Sequence, residues 1–354
     1  MEHKMEAALK TADGAFETVQ VDMPTPLRPD WVLVRIRVAG ICGTDLRHWK
    51  KENPDLVHKI MGHELAGEVQ EAGSEVKHLK VGDRVVVETL LGDETCDWCR
   101  IEQYNLCPHL YEVRMKTVSQ AFAQYLAAPA KKCHKLPAHV SYEEATLLDT
   151  FSVGLHAIQL SGIKANDKVV VIGAGPIGMG QLQLARISGA DVLVTDVVDS
   201  ALELAKELGA DAVVNTSRED GLKKVLEFTD GRGADIVFEC AGGPSMPDTL
   251  PQATTFARIG GKVVIVGGFD PGEIAIPLNW ERIQKQEIKL IPSASYSFWG
   301  LYPEMQICLE LLAKGKLNAR KLITHSFPLA EINQAFETAQ DKEHTKAVFV
   351  ALTM

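Results

Sequence analysis

The chain has 354 residues, 46% hydrophobic and 24% charged, with a net charge of −10. This is the balance of an ordinary soluble globular protein, long enough for two domains. The negative charge, with no basic run to offset it, argues against nucleic acid or an anionic membrane as the main partner.

The N-terminus, MEHKMEAALKTADG, has no apolar core of the kind a signal peptide needs. The longest apolar stretches are strand-like and far shorter than a membrane span. Over the first 150 residues, short β-type runs alternate with Gly, Pro and Asp. WVLVRIRVAGICG, ELAGEVQEAG and VGDRVVVETL run apolar and stop at turn residues. They predict a β-rich, barrel-like domain. Cys42 follows the first of these runs between two glycines, with Thr44 and Asp45 next. His63 and Glu64 follow Gly62, Glu64 opening the second. A thiolate, an imidazole and a carboxylate scattered in this way have the mixed character of an open catalytic zinc site, with one position left for substrate. Such a metal lowers the pKa of an alcohol, and the Thr44 hydroxyl stands ready to relay the proton.

Four potential ligands then fall within one loop, DETCDWCRIEQYNLC: Asp93, Cys96, Cys99 and Cys107. Two thiolates with two residues between them converge on one tetrahedral ion, so this loop reads as a closed structural zinc site. The seven cysteines are Cys42, Cys96, Cys99, Cys107, Cys133, Cys240 and Cys308. An odd number, four of them in metal-like settings, fits a reducing cytoplasm better than a disulfide framework. Cys133, Cys240 and Cys308 read as buried thiols.

From about residue 151 the pattern changes to buried strand followed by helix. KVVVIGAGPIGMGQLQLARISGA and DVLVTDVVDSALELAKELGA are two such units, and ADIVFECAGG, KVVIVGG and EIKLIPSAS supply further all-apolar strands. This predicts a doubly wound α/β domain around a parallel sheet. Gly173, Gly175, Pro176, Ile177 and Gly178 belong to a G-x-G-x-x-G turn between strand and helix. The first glycine permits the turn, the second lets a pyrophosphate approach, and the third packs helix on strand. The helix N-terminus then faces the phosphates. Asp196 ends the next strand, where a carboxylate bonds the ribose hydroxyls and repels a 2′-phosphate, so NAD is expected rather than NADP. The bland alternative is a solvated Asp at a strand end. PEMQICLELLAKGKL predicts a helix, and HSFPLAEINQAFETA another that opens at Pro328 with Glu331 in its first turn. The final strand, KAVFVALTM, is expected to return to the first domain. The predicted division is 1–151 with 292–354 for one domain and 152–291 for the other.

The ordered set GICGTD, GHELAGEV, VGDRVVV, the cysteine loop, GAGPIG and ITHSFPLAEINQAFE resembles the zinc-containing medium-chain dehydrogenase/reductase family, particularly its polyol and threonine dehydrogenase branch. The resemblance spans essentially the whole chain. It implies a GroES-like catalytic domain beside a Rossmann domain, two zinc ions per chain, NAD, a small-molecule alcohol substrate, and a homodimer or homotetramer. By the same resemblance Cys42, His63 and Glu64 hold the catalytic zinc, Thr44 is in the proton-relay position, and Asp149 is an acidic group near that zinc, as ligand or through water. Asp93, Cys96, Cys99 and Cys107 hold the structural zinc, and Val266 and Gly267 line the nicotinamide. Several positions depart from the family pattern. Asp93 replaces a cysteine, Arg47 a histidine, and Ala201 an arginine; PSASYSFWG has no arginine, leaving Tyr296 and Trp299 to line the pocket. The expected activity is oxidation of a secondary alcohol, in a polyol, diol or hydroxy amino acid, the last a threonine 3-dehydrogenase-like reaction. A non-catalytic NAD(P)H-binding relative, or a zinc-free reductase of the same fold, would lack Cys42, His63 and Glu64.

Overall fold

The structure is a computed structural model that describes residues 4–24, 27–49, 54–110, 120–268 and 274–354. The chain forms two compact units. One comprises Met1–Asp149, Gly300–Lys314 and Ala319–Met354; the other comprises Thr150–Trp299 and Gly315–Asn318.

The first unit is built on the strand Trp31–Gly40, whose Val and Ile residues are buried along almost its whole length. It pairs antiparallel with Glu64–Ala72, with Tyr125–Pro129 and with the C-terminal strand Phe349–Thr353. Arg84–Val87 and Cys133–Lys135 extend the sheet on one side and Ile323–Pro328 on the other. Val34, Ile36, Leu65, Val69, Val85 and Leu126 fill the core beside Phe122 and Phe336. The rings of Phe122 and Phe336 meet edge-on at 5.7 Å, a favoured aromatic geometry. One sequence expectation needs correction here. Pro328 does not open an α-helix: a 3₁₀ turn, Leu329–Glu331, comes first, and the helix runs Ile332–Gln340 with Glu331 at its cap. Proline's fixed φ suits the turn as well as the helix, so the signal misses the true start by a turn.

The second unit holds a six-stranded parallel sheet in the order Ala212–Asn215, Asp191–Asp196, Lys168–Ile172, Ala234–Glu239, Ala257–Ile265, Lys289–Pro292. In chain order this is 3-2-1-4-5-6, the Rossmann topology, and with the β-rich first unit it makes a mixed α/β protein. Successive strands are added on one side of Lys168–Ile172 and then on the other, so the crevice for a ligand opens beyond the carboxyl ends of that strand and of Ala234–Glu239. Val170, Ile172, Leu193, Val237, Val263 and Phe256 form the core. The strand predicted through KVVIVGG stops at Ile265, which leaves Val266 and Gly267 beyond the sheet. Among the described residues no helix is long and apolar enough to cross a membrane.

Candidate active site and metal centres

Cys42 lies just past the end of the Trp31–Gly40 strand, ahead of the short helix Gly43–Trp49. The pairing Gly40↔Glu64 brings the start of the next strand alongside. A β-carbon on Gly40 would stand 2.4 Å from both Glu64 Oε2 and the Phe349 ring, so only glycine lets the carboxylate lie there. As a result one ligand atom each from Cys42, His63 and Glu64 falls within 4.8 Å of the others. His63 and Glu64 are buried and Cys42 half-buried.

Burial, then the neighbouring Cys42 and Asp149 charges, push the Glu64 carboxyl well above the usual range. Burial also pushes the Cys42 thiol up, but His63 beside it more than offsets this and the net shift is downward. Crowded anionic donors of mixed type suit a divalent cation, and thiolate, imidazole and carboxylate are zinc ligands. The donor set therefore fits the metal that the sequence predicts. Asp149 is buried in the first turn of the Leu148–Ser161 helix. It acts on Glu64 electrostatically but stands outside the group of three mutually close ligand atoms.

Residues that sequence reasoning did not assign hold this cluster in place. Buried Asp45 accepts the Cys42 N–H at 3.0 Å through Oδ2, and its Oδ1 lies 3.6 Å from His63 Nδ1. The Thr89 hydroxyl donates to the His63 carbonyl at 2.9 Å. The C-x-x-D spacing of Cys42 and Asp45 has the form of a helix cap and was a readable signal; Thr89 had none. Thr44 Oγ accepts from the Arg47 guanidinium at 2.9 Å.

In the cysteine loop, Asp93, Cys96, Cys99 and Cys107 also offer ligand atoms within 4.8 Å of one another. Cys96 caps the helix Asp97–Arg100, and the Cys99 N–H points at its sulfur at 3.4 Å. Asp93 Oδ1 accepts the Thr95 and Cys96 N–H groups at 2.9 Å each, which holds its carboxyl far below the ordinary range. Its Oδ2 lies 4.0 Å from the ring of His109. Burial, then the hydrogen bond with Cys96, pushes the Cys99 thiol up to about 12. Three thiols and one ionised carboxylate fit a closed tetrahedral zinc site.

In the second unit Gly175 caps the helix Pro176–Ile187, with Pro176 at its first position and Ile177 next. A β-carbon on Gly178 would come within 1.8 Å of the Gly173 carbonyl, so the helix reaches the strand only through glycine. Asp196 Oδ2 accepts the Ala174 N–H at 2.6 Å, and Oδ1 accepts those of Val197 and Val198 at 2.7 and 2.9 Å. The carboxylate thus touches the Gly-rich loop itself. The Val266 and Gly267 N–H groups both donate to the Glu239 carbonyl at 2.9 Å.

The chain is similar to known dehydrogenases over nearly its whole length. Residues 28–138 match the alcohol dehydrogenase GroES-like domain, and residues 176–314 match the zinc-binding dehydrogenase domain. D-arabitol-phosphate dehydrogenase of Enterococcus avium is 36% identical, over 98% of each chain. Sorbitol dehydrogenase of Bacillus subtilis is 35% identical, over 90% of this chain and 89% of its own. Among solved structures, an Escherichia coli alcohol dehydrogenase complexed with NADH superposes with a TM-score of 0.87 at 27% identity, covering 99% of this chain and 100% of that one. A zinc-binding dehydrogenase from Sinorhizobium meliloti bound to NADP gives 0.88 at 29% identity, covering 99% of each.

Proposed function

Because the chain belongs to the zinc-type medium-chain dehydrogenase/reductase family, in its polyol branch, we propose that it oxidises a secondary alcohol of a polyol, diol or hydroxy amino acid to the ketone with NAD. Membership makes it an alcohol oxidoreductase that uses zinc and a nicotinamide cofactor. The observation that carries the finer reading is the convergence of Cys42, His63 and Glu64.

These three side chains would hold the catalytic zinc, and a zinc ion there supplies Lewis-acid polarisation of the substrate oxygen. Asp45 steadies one ring nitrogen of His63 and leaves the opposite one for the metal. Asp149 adds negative charge beside Glu64 from outside the ligand group. In the relay position Thr44 would take the hydroxyl proton while giving its own to water. The proton does not continue through Arg47, because a guanidinium has donors only and already gives one to Thr44 Oγ. The Gly173–Gly178 turn and the helix behind it would hold the pyrophosphate, and Val266 and Gly267 would line the nicotinamide, a group that supplies a hydride acceptor when bound. We take the working form to be a homodimer or homotetramer.

The test is NADH formation by zinc-replete protein over sorbitol, arabitol, arabitol phosphate, butanediol and threonine, with the ketone identified. Turnover of none of them overturns the reading. For the cofactor, Asp196→Ala is expected to weaken NAD by about tenfold or more, the worth of a charged hydrogen bond, and to raise tolerance of NADP. An unchanged NAD:NADP preference in binding titrations would show that Asp196 does not meet the ribose. For the loop, metal analysis should find about two zinc ions per chain in the parent and about one in Asp93→Ala. Two ions in that variant would remove Asp93 from the ligand set.

A further inference from the structure

Glu239 ends the strand Ala234–Glu239 and has no solvent exposure. A carboxyl group placed there costs several kcal/mol unless hydrogen bonds serve it. Its Oε1 is served: the Gly242 N–H donates at 2.9 Å, and the Thr249 hydroxyl lies at 2.8 Å. Its backbone carbonyl takes both the Val266 and the Gly267 N–H at 2.9 Å. One residue therefore fastens two loops that leave neighbouring strands. A further bond, from the Gly243 N–H to the Gly268 carbonyl at 2.7 Å, closes the seam between them.

The loops touch so closely that neither tolerates a side chain at the contact. A β-carbon on Gly242 would meet the Gly268 carbonyl at 2.6 Å. One on Gly267 would meet the Gly242 nitrogen at 2.5 Å and Glu239 Oε2 at 2.7 Å. Gly267 thus rests directly on the carboxyl group, whose Oε2 is buried and makes no hydrogen bond. A buried acceptor left unserved is a standing cost, and an apolar residue would fill the space without it. What an apolar residue would lose is the Oε1 clasp on the turn against which Gly267 lies.

We propose that Glu239 is a positioning residue for the nicotinamide half of the cofactor, fixing the loop Val266–Gly268 that would line that half. The inference rests on the cofactor reading above. It separates the two halves of the dinucleotide: the Gly173–Gly178 turn and Asp196 would serve the ADP-ribose part, and Glu239 would serve only the rest. The experiment titrates zinc-replete full-length protein with NADH and, separately, with ADP-ribose, which lacks the nicotinamide. Glu239→Ala should weaken NADH binding by about tenfold while ADP-ribose stays within about twofold. Glu239→Gln, which keeps an acceptor oxygen for Gly242, should restore NADH affinity to within about threefold of the parent. Thr249→Val, a milder change if the alanine variant does not fold, should shift NADH alone, by about two- to fivefold. Equal losses for both ligands, or no loss for either, would overturn the proposal. If the parent protein binds neither ligand, the cofactor reading itself fails, an outcome distinct from a parent that binds both and variants that do not discriminate.

Discussion

Replacing Cys42 with serine is expected to lower kcat by about a thousandfold or more while NADH binding persists. A serine hydroxyl does not ionise near neutral pH and is a poor zinc donor, so His63 and Glu64 would be left to hold the ion alone. Lewis-acid stabilisation of the developing charge is worth several kcal/mol, and each 1.4 kcal/mol is about tenfold in rate. The loss should appear in kcat and kcat/KM together, because the interaction is made chiefly in the transition state. Cofactor affinity should hold, because the Gly-rich turn and Asp196 lie in the other unit of the chain. Three measurements decide it: zinc content, steady-state rates on the substrate found by the panel, and an NADH titration. Turnover within about tenfold of the parent would rule out Cys42 as a ligand of the reacting metal.

What could be read from the sequence follows from the range over which each feature is encoded. The Asp93–Cys107 loop and the Gly173–Gly178 turn are local: spacing alone brings their atoms together, and the structure finds both groups compact. Cys42, His63 and Glu64 were legible as residue types, but their meeting depends on the Gly40↔Glu64 register, which no spacing announces. Asp149 entered only through family resemblance, and it lies beside Glu64 without joining the close group. The supporting residues stayed hidden for the same reason. Glu239 reads as the end of an apolar strand and Thr89 as a strand exit. Only the neighbouring loops and strands show what they hold. The helix at Ile332 was misplaced by one turn because proline permits both a 3₁₀ turn and an α-helix start.

The largest stability effect is expected at Glu88, a residue with no sequence signal at all. It follows the strand Arg84–Val87, which pairs with Cys133–Lys135. That register brings Lys132 Nζ to 2.7 Å from Glu88 Oε1 and His134 Nε2 to 3.3 Å from Oε2. The Tyr104 hydroxyl also bonds Oε1, and the Lys132 ammonium sits 3.3 Å above the Tyr104 ring. All four side chains are buried. Tyr104 lies between Cys99 and Cys107, so the network ties the cysteine loop to the sheet, and Thr89, the next residue, holds His63. Burial alone would push the Glu88 carboxyl up; Lys132, then His134, overcome this and hold it at about 2. Glu88→Ala strands a buried ammonium and should cost about 3–5 kcal/mol, lowering Tm by roughly 10 °C. The pair Glu88→Leu with Lys132→Met should recover most of that, since an apolar pair of similar volume can replace a buried ion pair. Acid supplies an independent check. A carboxyl group with its pKa lowered by folding stabilises fully above its ordinary value, and that stabilisation drains away as pH falls towards about 2. The gap in unfolding free energy between the parent and Glu88→Gln should therefore be widest near neutral pH and narrow through that window. A gap independent of pH would mean that the loss comes from packing rather than from the charge on Glu88.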